Sequence, residues 1–372
     1  MIALFLLVAR VLSFAPGPLV SSRFFRGLAW GASALVLIVF GIGVLSAYLP
    51  PETFWWTGPF AVVLPVTSIG AGCVALGLVG WAWARRRYAP ALVAVLVGGV
   101  LLGRFGAVLC PPPTPDDTAE VLTLLTFNVP QARAAPSLAS LVQSTGADLV
   151  ALQELDYWVE RGDTPLGRLP PPLRAVIDSG GYHVPPAPPD ARVQQPILSR
   201  LAVDSLRMTP LPGPGAPRVT RVPFTWQGRS AVLYNLHLSS VSRVKPWQAS
   251  ADRMDEWSFW RTALADYRDG ARVRATQARS IRRMIDRETR PVIVAGDFNS
   301  TPHDWAFHHL AAGLSDAYAV HGAWNAGTYP SHRPLVRIDH VLVSRAWAVV
   351  GARILDARPS SDHRPVLVRL RW

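Results

Sequence analysis

The chain has 372 residues, half of them hydrophobic and only 17% charged, with a formal net charge of +12. A soluble domain carries about a quarter charged residues, so an apolar block dilutes the count, and intrinsic disorder is excluded. That block is residues 1–110, which hold one acid, Glu52, and seven arginines. All but one of the 37 basic residues are arginine, the exception being Lys245, which reads as compositional bias before it reads as a nucleic-acid footprint. The two cysteines, Cys73 and Cys110, exclude a disulfide framework, a CxxC redox pair and a thiolate zinc site.

In chain order, the first fifteen residues are apolar, broken by Arg10 and followed by Pro16-Gly17-Pro18. An interfacial helix, a further span and a signal-like start all fit them. Three stretches then reach the roughly 20 apolar residues that cross a bilayer: 28–49, 59–83 and 91–110. Their glycines, Gly41, Gly43, Gly70, Gly72, Gly98 and Gly99, suit close helix packing. Arg23 and Arg26 precede the first span, Arg85-Arg86-Arg87 separates the second from the third, and the connection 50–58 has no Lys or Arg. The positive-inside rule then holds both clusters in the cytoplasm and sends the third span outward. The expectation is a multi-pass plasma (inner) membrane protein with its remaining chain outside the cytoplasm. Residues 111–119, opening on three prolines, read as a semi-rigid tether.

From residue 120 to 372 the pattern becomes short apolar runs between turn residues. Residues 121–129, 148–155, 231–238, 291–295, 337–343 and 365–370 read as buried strands, and 136–145, 271–288 and 303–311 as helices. This is an α/β domain large enough for a substantial core. Each strand places a polar group where its apolar run stops: Asn128, Gln153-Glu154, His237, Asp297 with Asn299, Asp339-His340, and Asp362-His363 before the last strand. Polar groups at such positions must pair or bind something, and several converging are the signature of a metal-assisted site.

Taken in order, Thr126-Phe127-Asn128, Leu152-Gln153-Glu154, Ile197-Leu198-Ser199-Arg200, Asn235-Leu236-His237-Leu238, Gly296-Asp297-Phe298-Asn299, Ile338-Asp339-His340 and Ser361-Asp362-His363-Arg364-Pro365 resemble the endonuclease/exonuclease/phosphatase superfamily over residues 120–372. The resemblance implies a deoxyribonuclease-I-like four-layer α/β/β/α sandwich, here preceded by an all-helical transmembrane segment of three spans. It also implies divalent-metal-dependent phosphoester hydrolysis. Glu154 is then the first ligand for Mg²⁺ or Mn²⁺, hard ions that take carboxylate oxygens, with Asn128 and Asp362 completing the metal site. Asp297 and Asn299 hold the attacking water and a phosphate oxygen. His363, oriented by Asp339, binds phosphate or moves a proton, and His237 stabilises the developing charge or protonates the leaving oxygen. One stretch departs from the family pattern. Arg192-Val193-Gln194-Gln195-Pro196 stands where many relatives have an acid or a Gly-Asn pair, and some use that acid to orient the histidine corresponding to His237.

Between His237 and the 271–288 helix, Trp257, Trp260, Leu264 and Tyr267 recur at helical spacing, which predicts an amphipathic helix packed on the sandwich. A basic, aromatic lip over the site is the alternative. Arg218, Arg221 and Arg229 add positive charge suited to a phosphate polyanion. The resulting expectation is a membrane-tethered phosphodiesterase acting on nucleic acid. A phospholipid or sphingomyelin-type phosphodiesterase and a non-catalytic, surface-anchored phosphate-binding protein are the alternatives. The partners are the phosphodiester substrate and, through the spans, the lipid bilayer.

Overall fold

Long apolar stretches can satisfy their backbone only as helices when water is excluded, and the described N-terminal residues form helices joined by short turns. The computed structural model describes residues 23–86, 88–109, 120–130, 137–159, 169–215, 217–240, 255–321, 327–357 and 361–372. The apolar start before Arg23 and the tether 111–119 lie outside the described residues. Helix α1 (Arg23–Leu45) is followed by the one-turn α2 (Pro51–Phe54), then α3 (Gly58–Arg85) and α4 (Ala89–Leu109). Two stretches, Arg26–Leu45 and Pro51–Arg85, are long and apolar enough to cross a bilayer, and a third apolar stretch, Ala89–Gly103, is shorter. Where the sequence expects three spans, the described residues thus give two full-length candidates. Phe40, Leu64, Ala71, Ala94 and Val97 pack together, whereas Leu35, Val66, Leu76 and Leu102 point outward and are exposed. Only part of the glycine set serves helix contact. A Cβ on Gly43 would lie 2.8 Å from the Phe60 carbonyl oxygen, but Gly41, Gly98 and Gly99 have nothing within 4 Å.

The chain divides into two units, Met1–Ser46 with Thr57–Gly106, and Ala47–Trp56 with Ala107–Trp372. The connection between α1 and α3 therefore folds with the C-terminal unit. Glu52 receives both arms of Arg279, its carbonyl accepts from Arg272 at 3.0 Å, and Trp55 lies against Tyr267.

The C-terminal unit is built on two sheets. The first runs β12 (Ala348–Ile354), β13 (Val366–Arg371), β1 (Leu122–Asn128), β2 (Leu149–Gln153), β5 (Ile197–Ser199). The second runs β10 (Ser315–Asp316), β11 (Asp339–Val343), β9 (Val292–Asp297), β8 (Arg229–His237), β7 (Arg218–Trp226), β6 (Arg207–Pro210). A separate ribbon pairs β3 (Tyr157–Val159) with β4 (Ala191–Val193). Strand periodicity assigns the faces. Ala231 and Leu233 of β8, with Ile293 and Ala295 of β9, join the first sheet in one core that also takes Leu138 and Val142 of α5 (Ser137–Thr145) and Leu173 and Val176 of α6 (Pro171–Asp178). The alternate residues Val232, Tyr234, Leu236, Val292 and Val294 face Ala278, Ile281 and Ile285 of α7 (Trp257–Asp286). The layers are α/β/β/α. Sheets covered on both faces need apolar side chains at every position, which is why these strands read as unbroken apolar runs.

Helix α7 is 30 residues long, and its packed face differs from the one its large apolar residues predict. Phe259, Ala263, Ala271, Ala275 and Ala278 are buried, while Trp257 is 75% and Leu264 46% exposed. Small side chains allow a long helix to lie close to the sheet beside the buried Phe259, Ile281 and Ile285, while Trp257 and Leu264 are turned out. At its C-terminal end Glu288, 5% exposed, accepts from Arg221 Nε at 3.0 Å and from Arg290 Nε at 2.8 Å. Burial pushes the Glu288 carboxyl up, but the hydrogen bonds from Arg290 and Arg221 outweigh this and hold it below the usual carboxylate range. A depressed folded-state pKa adds stability above the unfolded value, about 4.5, that is lost as pH falls through the folded one. Glu288→Gln is expected to lower the melting temperature of the detergent-solubilised chain at pH 7, with the difference shrinking steadily below pH 4.5. A pH-independent difference would contradict this account.

Candidate active site

Strand register brings the polar residues together. β1 and β2 are parallel with Asn128 opposite Gln153, and β8 and β9 are parallel with His237 opposite Asp297. β11 runs antiparallel to β9 with Asp339 opposite Asp297. Five polar positions from two sheets therefore sit at one end of the sandwich, where the apolar interior stops.

The two sheets meet in hydrogen bonds. Asn128 Nδ2 donates to Glu154 Oε1 and to Asp297 Oδ2, both at 3.0 Å. Asp297 is buried, and its Oδ1 accepts the Asn299 backbone N–H at 2.8 Å. Asn299 Nδ2 lies 3.3 Å from Asp297 Oδ2 and donates to the Leu238 carbonyl at 2.9 Å. His237 Nε2 stands 3.5 Å from Asp297 Oδ2 and 3.9 Å from Glu154 Oε1. His363 Nδ1 meets Asp339 Oδ2 at 2.9 Å while its Nε2 faces Asp297 Oδ2 at 3.8 Å. Both imidazoles thus turn one nitrogen toward the same carboxylate oxygen. Asp362 lines the same cleft, of about 730 Å³, but its carboxylate makes no hydrogen bond to Glu154 or Asn128.

Backbone geometry aims these groups. Glu154 and Asn299 hold φ of +62° and +47°, a left-handed conformation that non-glycine residues adopt at a cost of roughly 1–3 kcal/mol and that clusters at functional sites. Gly296, at φ +138°, lies so close to β8 that a Cβ would fall 1.9 Å from the Leu236 carbonyl oxygen, so no other residue fits between the two parallel strands.

His363 is cationic at neutral pH. Burial lowers it, but the Asp339 carboxylate, then Asp297, push it up to about 10. His340, one residue on, is the opposite. Burial, then the Arg337 charge, hold it down to about 3. Arg337 Nη1 can only donate, so His340 Nδ1 accepts at 2.8 Å and its Nε2–H bonds the Ser300 carbonyl at 2.8 Å. Arg337 is itself fixed on Asp316, at 2.6 Å and 3.1 Å.

Several supporting residues escape a motif reading. Gln153 Nε2 donates to Asn235 Oδ1 at 2.7 Å, and Asn235 Nδ2 donates to the Leu152 and Pro196 carbonyls, a second cross-sheet bridge beneath the first. Ser361 Oγ donates to the Asn128 carbonyl at 2.6 Å and accepts the His363 N–H. Gln277 of α7 both accepts the Ser239 N–H and donates to Ser239 Oγ, fixing the backbone just after His237. Asn235 and Ser361 lie inside the quoted motifs, so proximity was a signal; Gln277 offers none. Of the three arginines expected to attract phosphate, Arg221 is paired with Glu288 and Arg229 lies over Trp372, so neither presents an unengaged cation to the cleft.

A family model for the endonuclease/exonuclease/phosphatase family matches residues 125–363. The chain belongs to that family. The match begins in β1 and ends on His363, so all eight residues listed above as ligands or proton-transfer groups fall within the endonuclease/exonuclease/phosphatase segment. Members of the family hydrolyse phosphoester bonds, and so this chain is an enzyme of that class. Among solved structures it is similar to an endonuclease/exonuclease/phosphatase from Beutenbergia cavernae (21% identity over 68% of this chain and 72% of that one, TM-score 0.48). It is also similar to the mannosyl-6-phosphatase Bt3783 of Bacteroides thetaiotaomicron (18%, 68% and 100%, 0.48) and to D. rerio TDP2 complexed with single strand DNA product (15%, 68% and 100%, 0.48). No curated protein matches the sequence.

Proposed function

We propose that this chain is a membrane-tethered, divalent-cation-dependent phosphodiesterase that works outside the cytoplasm and acts on nucleic acid. The observation that carries the chemistry is the sharing of Asp297 Oδ2 by Asn128, His237 and His363. One buried carboxylate is held at the meeting point of a carboxamide and two imidazoles.

The donor set suits a hard cation. Asn128 Oδ1 and Asp339 Oδ1 are buried without a hydrogen-bond partner, an arrangement that is costly unless something positive completes it. Asp297, Asp339 and His363 offer ligand atoms within 4.8 Å of one another, but His363 already carries a proton that Asp339 holds. Glu154 is the better first ligand. Its side chain is 41% exposed on the cleft, leaving room for the waters that Mg²⁺ or Mn²⁺ retain, with Asn128 and Asp362 beside it. A cation there would supply several kcal/mol by neutralising charge at the phosphoryl group.

The chain's own groups do the rest. Asp297 takes the proton of the attacking water, with Asn299 and Asn128 holding its oxygens. His363, cationic and fixed by Asp339, donates Nε2–H to a phosphate oxygen. His237, 26% exposed, gives a proton to the leaving oxygen as the phosphorus–oxygen bond breaks. A positioned acid or base of this kind contributes about 10²–10⁴ in rate.

The polar lining of the cleft, with Arg192, Gln194 and Ser239 beside the carboxylates, suits a hydrophilic phosphodiester. Exposed Trp257 and Leu264 on α7 favour a second reading, a lipid headgroup substrate approached at an interface. Topology is supported by the Glu52–Arg279 contact. A connection between two spans that folds with the C-terminal unit must share its side of the membrane, the side without arginine clusters.

With Mg²⁺ or Mn²⁺ the full chain in detergent is expected to nick supercoiled plasmid, chelation to stop it, and Glu154→Gln to slow it by about 10²-fold or more. An undiminished rate in the variant contradicts the assignment. A reporter fused after Trp372 that requires export should be active; activity from a cytoplasm-dependent reporter instead would overturn the orientation.

A further inference from the structure

The β3–β4 ribbon belongs to neither main sheet, yet it forms one wall of the cleft. In its register Tyr157 opposes Val193 and Trp158 opposes Arg192. Tyr157 and Val193 are buried; Trp158 is 58% exposed and Arg192 is exposed beside it. Strand alternation puts Asp156 on the same face as Trp158, and Asp156 pairs with the Arg192 guanidinium. Asp156 and Arg192 both line the cleft. Arg192, held by Asp156, lines the cleft, and the exposed Trp158 stands opposite Arg192 in the ribbon, so the two form a ledge at the rim of the cleft.

Immediately after β4 the chain turns through Gln194 and Gln195, which also line the cleft. Gln195 is 4% exposed and its Oε1 has no hydrogen-bond partner, and Gln194 Oε1 has none either. The turn cannot swing away to satisfy them. The next residue's carbonyl, that of Pro196, is held by Leu152 N–H at 2.9 Å and by Asn235 Nδ2 at 3.0 Å. A buried, unpaired carboxamide oxygen is unfavourable by about 1–3 kcal/mol, a penalty that a ligand bearing N–H or O–H groups removes on binding.

We propose that the ledge of Trp158 and Arg192, with the Gln194–Gln195 turn, is a subsite for the group attached to the scissile phosphate, and that it selects a nucleoside over choline. The base lies flat on the indole, where stacking on an aromatic side chain is worth about 1–3 kcal/mol, and its N–H edge meets the carboxamide. Choline has no hydrogen-bond donor to offer Gln195, and Asp156 is already neutralised by Arg192. This deepens the nucleic-acid reading above and rests on it.

The test separates binding from turnover. Calorimetry on the full chain in detergent compares thymidine 5′-monophosphate with phosphocholine for the parent, Trp158→Ala and Gln195→Met. The parent is expected to bind the nucleotide at least about tenfold tighter than phosphocholine. Each substitution should cut that ratio by about tenfold, converting the energies above at 1.4 kcal/mol per decade. Because Trp158 is exposed, its removal tests the ledge even where Gln195→Met perturbs folding. Equal or tighter binding of phosphocholine by the parent, or variants that weaken both ligands alike, overturns the subsite. The parent's turnover of bis(p-nitrophenyl) phosphate is measured alongside. Its absence, with the nucleotide preference intact, would count against the hydrolase reading and leave the subsite standing.

Discussion

One carboxamide joins the two halves of the sandwich chemically. Asn128 ends β1 in the first sheet, and its Nδ2 reaches both Glu154, just beyond β2, and Asp297, at the end of β9 in the second. Two carboxylates this close repel each other and resist burial; a pair of N–H donors between them removes much of that penalty. The apolar core and the Gln153–Asn235 bond also hold the sheets face to face, but the Asn128 bridge is the bond that ties Glu154 to Asp297.

Around that bridge the fold stacks supports of decreasing polarity. Gln153, Asn235, Thr126 and the Pro196 carbonyl form a buried layer below it, and beneath that the space between the sheets is largely apolar. Such networks are high-stakes, since each member left unpaired in a low-dielectric interior is expensive. The orphaned oxygens therefore stand out. Oxygens of Asn128, Asp339, Gln194 and Gln195 at the cleft and of Gln153 beneath it lack partners, as do atoms elsewhere, among them Thr220 Oγ1 and Trp347 Nε1. The same economy explains the left-handed Glu154 and Asn299. Strain is tolerated at the two residues whose side chains must turn out of the strand direction into the cleft.

The sequence announces the strand ends because burial on both faces demands unbroken apolar runs, and a polar residue closing such a run is conspicuous. What it hides is whatever depends on partners far along the chain. Gln153 meets Asn235 across 82 residues, and Gln277 meets Ser239 only because α7 lies on the second sheet. β7 escapes because Pro223 interrupts it. It is tolerated because β6 pairs only Arg218–Arg221, so that Pro223 sits beyond the end of β6 on the side with little pairing. The first half of α7 misleads because Trp257 and Leu264 suggest one face while Phe259, Ala263 and Ala271 occupy the buried one. The β3–β4 ledge was visible only as a departure from the family pattern at Arg192–Pro196, with no indication of what it faces.

The bridge itself is the claim to test. A double-mutant cycle on hydrolysis, with Asn128→Ala, Glu154→Ala and the pair, measures whether the two residues act as one unit. Coupling is predicted: the double variant should be at least about tenfold more active than the product of the single losses implies, roughly 1.4 kcal/mol of interaction. Losses that simply multiply would mean that Asn128 and Glu154 serve the reaction separately, and that the Asn128 carboxamide is not the shared donor on which this account depends.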